Sequence, residues 1–233
     1  MDARRISVFT TPSNAEFRAF RRSHSAGTAG SHSLDGDPQP AVNVSWDDAV
    51  AYLNWLSTAD GLPPAYERDG DAWRLVTPLT IGYRLPSEAE WAYVARHVQP
   101  GAGRYPWAGG FPPPVNAGNF ADQAASGLLA NTLPDYADAF AVSAPVGTYP
   151  AYMGTWFDIG GNVAEWCHDY YSVYPDAADR LVRDPRGPAT GAHHVVRGSS
   201  WRNSTISELR LSYRDYSAKP RQDLGFRIAR FTE

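Results

Sequence analysis

The stretch from Gly101 to Gly154 constrains this chain most. It carries no helical period and is crowded with Gly, Pro, Asn and Asp. So long an irregular segment is entropically poor inside a globular chain unless something pins it. The remainder is far from disordered. Aromatic residues make up 13% of the 233 residues, and the formal net charge is −4, whereas disorder goes with few aromatics and high net charge. The length allows a substantial core without a disulfide scaffold. A single cysteine, Cys167, excludes an intrachain disulfide, a Cys-rich zinc site and a two-thiol redox centre. Mild acidity gives no support to non-specific nucleic-acid binding. No run of residues approaches the apolar length of a membrane-spanning helix, so no direct membrane insertion is expected.

Three short helices are expected, each opened by a Ser with an acid three residues on, the pattern of a capping box. Ser13 and Glu16 open Asn14 to about Arg22. Ser45 and Asp48 open Trp46 to about Thr58, with Ala49, Tyr52, Leu53 and Leu56 on one face. Ser87 and Glu90 open a helix to about His97 that buries Trp91, Val94 and Ala95. Strands are expected at Ile6–Phe9, Trp73–Val76, Tyr83–Leu85, Val195–Arg197, Leu209–Tyr213 and Phe226–Phe231. No repeat or composition break divides the chain, so a single α+β domain over residues 1–233 is expected.

Four segments carry more than architecture. They are Tyr83-Arg84-Leu85-Pro86-Ser87-Glu88-Ala89-Glu90-Trp91, Ile159-Gly160-Gly161-Asn162-Val163-Ala164-Glu165-Trp166, Val196-Arg197-Gly198-Ser199-Ser200-Trp201 and Asp223-Leu224-Gly225-Phe226-Arg227. In this order and spacing they resemble the formylglycine-generating enzyme, or sulfatase-modifying factor, family. The resemblance runs from about Ile6 to Arg230, and the family's first strand would lie upstream of Ile6. It implies a variant of the C-type-lectin-like fold with a small twisted sheet, few helices and much ordered loop.

The resemblance also implies structural calcium, one or two ions. The family's first site maps to Asn119 and Asp138 with the carbonyls of Phe120 and Phe140. The second maps to Asp158 and Glu165 with the carbonyls of Gly161 and Val163. All four side chains are oxygen donors, the kind calcium takes. The catalytic pattern is different. Active members carry a cysteine pair for copper, and thiolates suit Cu(I). Here Asn203 and Glu208 stand at those positions, so no copper is expected. Cys167 has no thiol partner and reads as a packed side chain. His168-Asp169 reads as a buried hydrogen-bonded pair, and His193-His194 as a solvated loop pair whose rings point opposite ways.

What remains is a polar and aromatic surface: Trp201, Arg202, Asn203, Glu208, Arg210, Tyr213, Arg214 and Arg221, with Asp215 and Tyr216 beside them. The family's substrate cleft lies on this stretch, and Trp, Tyr and Arg dominate binding hot spots. An Arg–acid network through Glu208, Asp215 and Asp223 is the structural alternative. The resemblance therefore implies a non-catalytic regulatory protein that binds a protein partner. The wording around Trp201 and from Glu208 to Tyr216 is most similar to the periplasmic TagR-type regulators of type VI secretion, which act upstream of a membrane threonine kinase. A diverged metal-dependent oxidase or hydroxylase, and a ligand-display module, are the other two readings.

Overall fold

The computed structural model describes residues 5–8, 10–97, 103–149, 156–173 and 182–232. The three helices form where local capping dictates. In α1 (Asn14–Phe20) the Ser13 side chain accepts from the Glu16 amide, while Glu16 Oε2 accepts from the Ser13 amide at 2.7 Å. The helix ends two residues before Arg22. In α2 (Trp46–Ala59) Ser45 caps the first turn, and the face bearing Trp46, Ala49, Tyr52 and Leu53 is buried. In α3 (Glu88–His97) Glu90 accepts from the Ser87 amide at 2.8 Å, and Trp91, Val94 and Ala95 are buried.

A four-stranded sheet organises the rest. β6 (Ala164–Tyr170) and β7 (His194–Arg197) are its centre, with β8 (Arg214–Ser217) and β9 (Leu224–Phe226) at the edges, in the order β8-β7-β6-β9. β9 runs parallel to β6; the other pairs are antiparallel. Two-stranded ribbons surround the sheet: β2 (Thr28–Ala29) with β3 (His32–Ser33), β4 (Tyr66–Asp69) with β5 (Ala72–Leu75), and β1 (Arg5–Val8) with β10 (Ala229–Thr232). Phe17 of α1, Leu53 of α2, Trp166 of β6 and Phe226 of β9 share one buried cluster that packs both helices on the sheet, and Phe17 stacks on Tyr52 at 5.2 Å.

Several strand expectations need correction. Leu209–Tyr213 is turn, because Leu209 buries into a loop cluster and Leu211 against α3 and the central strands, and the Leu211 amide donates to the Arg104 carbonyl; the strand begins at Arg214. Phe226–Phe231 is two strands, β9 and β10, in different sheets. Tyr83–Leu85 makes only an isolated bridge, Arg84 to Ala229. β6 was not foreseen. Its residues from Ala164 to Cys167 are all buried, so the period-2 signal of a half-exposed strand is missing.

One side chain ties several turns of the long irregular region together. Asn162 is 1% exposed and sits at φ +70°. Its Oδ1 accepts from the Ala144 amide at 2.9 Å and from Asn119 Nδ2 at 3.2 Å, and its Nδ2 donates to the Ala144 carbonyl at 3.1 Å. Its own backbone bonds the Asn119 carbonyl and the Trp201 amide. Asn119 Nδ2 also donates to the Val142 carbonyl at 2.8 Å. Gly161 beside it lets the two loops touch, since a Cβ there would lie 3.3 Å from both the Asn119 amide nitrogen and Gly118 Cα.

Candidate functional site

A cavity of about 550 Å³ opens where the turn after β7 meets β8. Gly198, at φ +80°, turns the chain out of β7, and Arg202, Asn203, Glu208, Tyr213, Asp215 and Arg221 line the opening. Asn203 Oδ1 accepts from the Ser200 amide at 2.8 Å and from Ser200 Oγ at 3.0 Å. Glu208 Oε2 accepts from the Thr205 amide at 3.1 Å and Thr205 Oγ1 at 2.7 Å, capping its own turn. Arg221 Nη1 pairs with Asp215 Oδ2 at 2.6 Å. Its Nε lies 3.2 Å from Asp223 Oδ1 at an angle too poor for a hydrogen bond. Burial acts to lower the Arg221 pKa, but Asp223 and Asp215 outweigh it and raise it, so Arg221 is a fixed cation between two acids. Burial, with Asp215 and Glu208 nearby, raises the Tyr213 hydroxyl, so it stays protonated and able to donate.

The expected cleft residues divide. Arg202, Asn203, Glu208, Tyr213 and Arg221 line the cavity, whereas Trp201, Arg210 and Arg214 do not. Trp201 is fully buried against Ala26, Leu34, Val42 and Val163. Arg214 alternates to the far side of Tyr213 and Asp215, where its Nη2 pairs with Glu88 Oε2 at 2.8 Å. Glu88 also holds Arg197 Nη1 at 3.0 Å, so Arg214 belongs to a buried structural network. Tyr216 is exposed and packs on Tyr171 at 4.5 Å.

The two calcium positions implied by the family behave differently. At the first, Asn119 Oδ1 is buried without a hydrogen-bond partner. Asp138 Oδ2 and Oδ1 accept from the Phe120 and Phe140 amides at 2.9 and 3.0 Å, and buried Asp122 accepts from the Asp138 amide at 2.7 Å. Burial pushes Asp138 up to about 7 despite those amides, and the Asp122 charge adds to the rise. A buried amide oxygen without a donor on Asn119, and a buried carboxylate held by the amide of the next residue, Phe120, are oxygen donors of the kind a hard cation takes. At the second, Asp158 Oδ1 is likewise buried without a partner, and burial pushes Asp158 up to about 6. Glu165, however, is spent. Arg227 Nη2 and Nε reach its two oxygens at 2.6 and 2.9 Å, Trp91 Nε1 donates at 2.7 Å and Thr11 Oγ1 at 3.3 Å. A guanidinium already occupies the electrostatic role a calcium ion would have there, so the donor set does not fit the ion.

Cys167 is wholly buried, and burial pushes its thiol well up, which suppresses the reactive thiolate. His193 and His194 do point opposite ways, but they are half-buried rather than solvated: His193 lies against Tyr216 at 5.0 Å and His194 on Trp46 at 3.9 Å. Among the described residues no group of three or more His, Cys, Asp and Glu converges as a metal cluster, and no helix is long and apolar enough to cross a membrane.

A small sheet with α2 on one face, ordered loops tied through Asn162 and a polar cavity beside β7 define a formylglycine-generating-enzyme-like domain. The chain belongs to the sulfatase-modifying factor enzyme 1-like domain family, which it matches over residues 10–232. It is 34% identical over 204 residues to the formylglycine-generating enzyme of Streptomyces coelicolor, covering 84% of this chain and 54% of that protein. It is 30% identical over 176 residues to the serine/threonine-protein kinase Pkn1 of Chlamydia trachomatis, covering 75% of this chain and 21% of the kinase. The chain thus spans about half the length of the enzyme and a fifth of the kinase. In fold it is similar to Treponema denticola variable protein 1, with a TM-score of 0.73 at 23% identity, over 95% of this chain and 82% of that one.

Proposed function

We propose that this domain is a non-catalytic regulator that uses the cavity around Asn203 and Glu208 to hold a protein partner. The observation that carries the reading is chemical. The two positions that would carry the family's copper-binding thiolates carry a carboxamide and a carboxylate, each already hydrogen-bonded to its own loop. Neither is a soft ligand for Cu(I). The surface they leave is rigid, polar and of mixed charge, with Arg221 fixed between Asp215 and Asp223. Such a surface favours a partner loop that brings both hydrogen-bond donors and an acid, and it gives specificity through charge complementarity.

The similarity of this domain to a stretch of a serine/threonine-protein kinase supports a signalling context. We place the protein in the periplasm, promoting activation of a membrane threonine kinase pathway that controls type VI secretion. The wording from Glu208 to Tyr216 supports that finer assignment. One calcium ion at Asn119 and Asp138, with the carbonyls of Phe120 and Phe140, would staple the long loop that supports the cavity; it takes no part in chemistry.

A photo-crosslinking residue in place of Asn203 should capture one envelope protein, a kinase or secretion component. Arg221→Ala in the same chain should cut the yield about tenfold, since a charged contact contributes about 1.5–3 kcal/mol. Capture of no such component, or capture indifferent to Arg221, would remove the reading.

A further inference from the structure

A second cavity, about 210 Å³, lies at the opposite end of the central strands. Ala164 lines the first cavity and Tyr170 the second. They are six residues apart on β6, roughly 20 Å at about 3.3 Å per residue. The proposed function makes no use of this second cavity, and the inference does not depend on that reading.

Its construction is specific. The His194 ring is clamped between two aromatic rings, Trp46 at 3.9 Å and 8° and Tyr170 at 4.1 Å and 27°. Trp46 is itself fixed by its indole N–H, which donates to the Cys167 carbonyl at 2.9 Å. His194 Nδ1 lies 3.2 Å from the His168 carbonyl. A carbonyl only accepts, so Nδ1 carries the proton and Nε2 is an acceptor. Burial pulls His194 down to about 4 and His168 to about 3, so both imidazoles are neutral at pH 7. The clamp holds a neutral imidazole, with one nitrogen able to accept, at the wall of an aromatic pocket.

The other walls are Trp73, Leu75 and Pro188, and Arg74 and Arg186 stand at the rim; no carboxylate lines the space. Arg74 is shared with Glu67 at 3.2 Å and Asp69 at 3.7 Å. Arg186 has no acid partner among the described residues and is exposed. Trp73, whose ring is covered by Arg68 at 4.0 Å, keeps its indole N–H buried without an acceptor. The cavity therefore offers flat apolar walls, a neutral imidazole, an indole donor lacking an acceptor and a cation with no acid partner among the described residues.

We propose that this cavity binds a small aromatic acid that carries a ring hydroxyl or ring N–H. The ring packs on Trp73 and Pro188, the ring donor reaches His194 Nε2, and the carboxylate pairs with Arg186. The ring, the ring donor and the carboxylate of the ligand each answer one feature of the wall, and the two arginines at the rim disfavour a cationic ligand.

The test is an NMR titration of the whole ¹⁵N-labelled chain with 4-hydroxybenzoate, benzoate and phenol. 4-Hydroxybenzoate should shift the Trp73 indole and His194 resonances saturably with Kd about 1 mM or tighter, a reasonable limit for ten heavy atoms. Benzoate and phenol, each lacking one of the two polar groups, should bind several-fold more weakly. Arg186→Ala, at an exposed position that the fold does not need, should weaken 4-hydroxybenzoate about threefold while leaving the rest of the spectrum in place. The proposal is overturned by no saturable shift up to about 10 mM, by equal binding of phenol, by indifference to Arg186→Ala, or by shifts confined to the cavity around Asn203.

Discussion

Arg227→Ala should lower the unfolding free energy by about 3–5 kcal/mol, the cost of stranding one member of a buried ion pair. Arg227 and Glu165 are 1% and 2% exposed, and the guanidinium meets both carboxylate oxygens. Without it, Glu165 keeps only Trp91 and Thr11 as donors, and its charge stays buried in low dielectric. Arg227 also donates to the Phe157 carbonyl at 3.2 Å, so the loss is felt in the loop before β6 as well. Urea unfolding of Arg227→Ala, Glu165→Ala and the double variant gives the coupling. The double variant should lose clearly less than the sum of the singles, because removing both charges leaves none stranded. Additive losses, or a single loss below about 1 kcal/mol, would mean that the pair is solvated in solution.

Asn162→Ala should cost a comparable amount, about 3–5 kcal/mol, by a different route. The substitution leaves the Ala144 amide and the Ala144 carbonyl without their interior partner, while Asn119 Nδ2 keeps only the Val142 carbonyl, and each unsatisfied buried group costs about 1–3 kcal/mol. It also puts alanine at φ +70°, where asparagine is better tolerated. The effect should be local before it is global. Amide exchange across residues 119–144 should rise before that of β6 and β7, since these loops depend on Asn162 and the sheet does not. Uniform loss of protection would assign Asn162 to the core.

The helices were legible in the sequence because their signals are local. Ser13–Glu16 and Ser87–Glu90 each place an acceptor and an acid at fixed spacing, and the structure closes both boxes. β6 was not legible, because burial on both faces erases alternation. Asn162 was read only as part of a tight turn; that its side-chain amide ties the loops at Asn119 and Ala144, and its backbone carbonyl the turn at Trp201, depends on contacts far away in sequence. Glu165 shows the same limit, since nothing near it announces Arg227, sixty-two positions on. At the cavity, residue types were easier to read than directions. Asn203, Glu208 and Arg221 were recognisable from their family positions, whereas Trp201 is of a binding type but turns inward, and Arg214 is on the wrong side of an alternating strand. The clamp around His194 was missed because its three rings come from α2, β6 and β7. No local signal pointed to it, since β6, which carries His168 and Tyr170, was itself not legible.

The most direct measurement is a metal titration of purified protein with calcium and with Cu(I), followed by elemental analysis and thermal unfolding. Calcium is expected to bind at one ion per chain and to stabilise by about 2.7 kcal/mol at a hundredfold excess over Kd, with the stabilisation lost in Asp138→Asn. Cu(I) is expected to leave the cavity empty, so any uptake should be unchanged when Asn203 and Glu208 are both replaced by alanine. Stoichiometric Cu(I) that this double replacement removes would contradict a non-catalytic cavity and return the domain to the oxidising enzymes of its family.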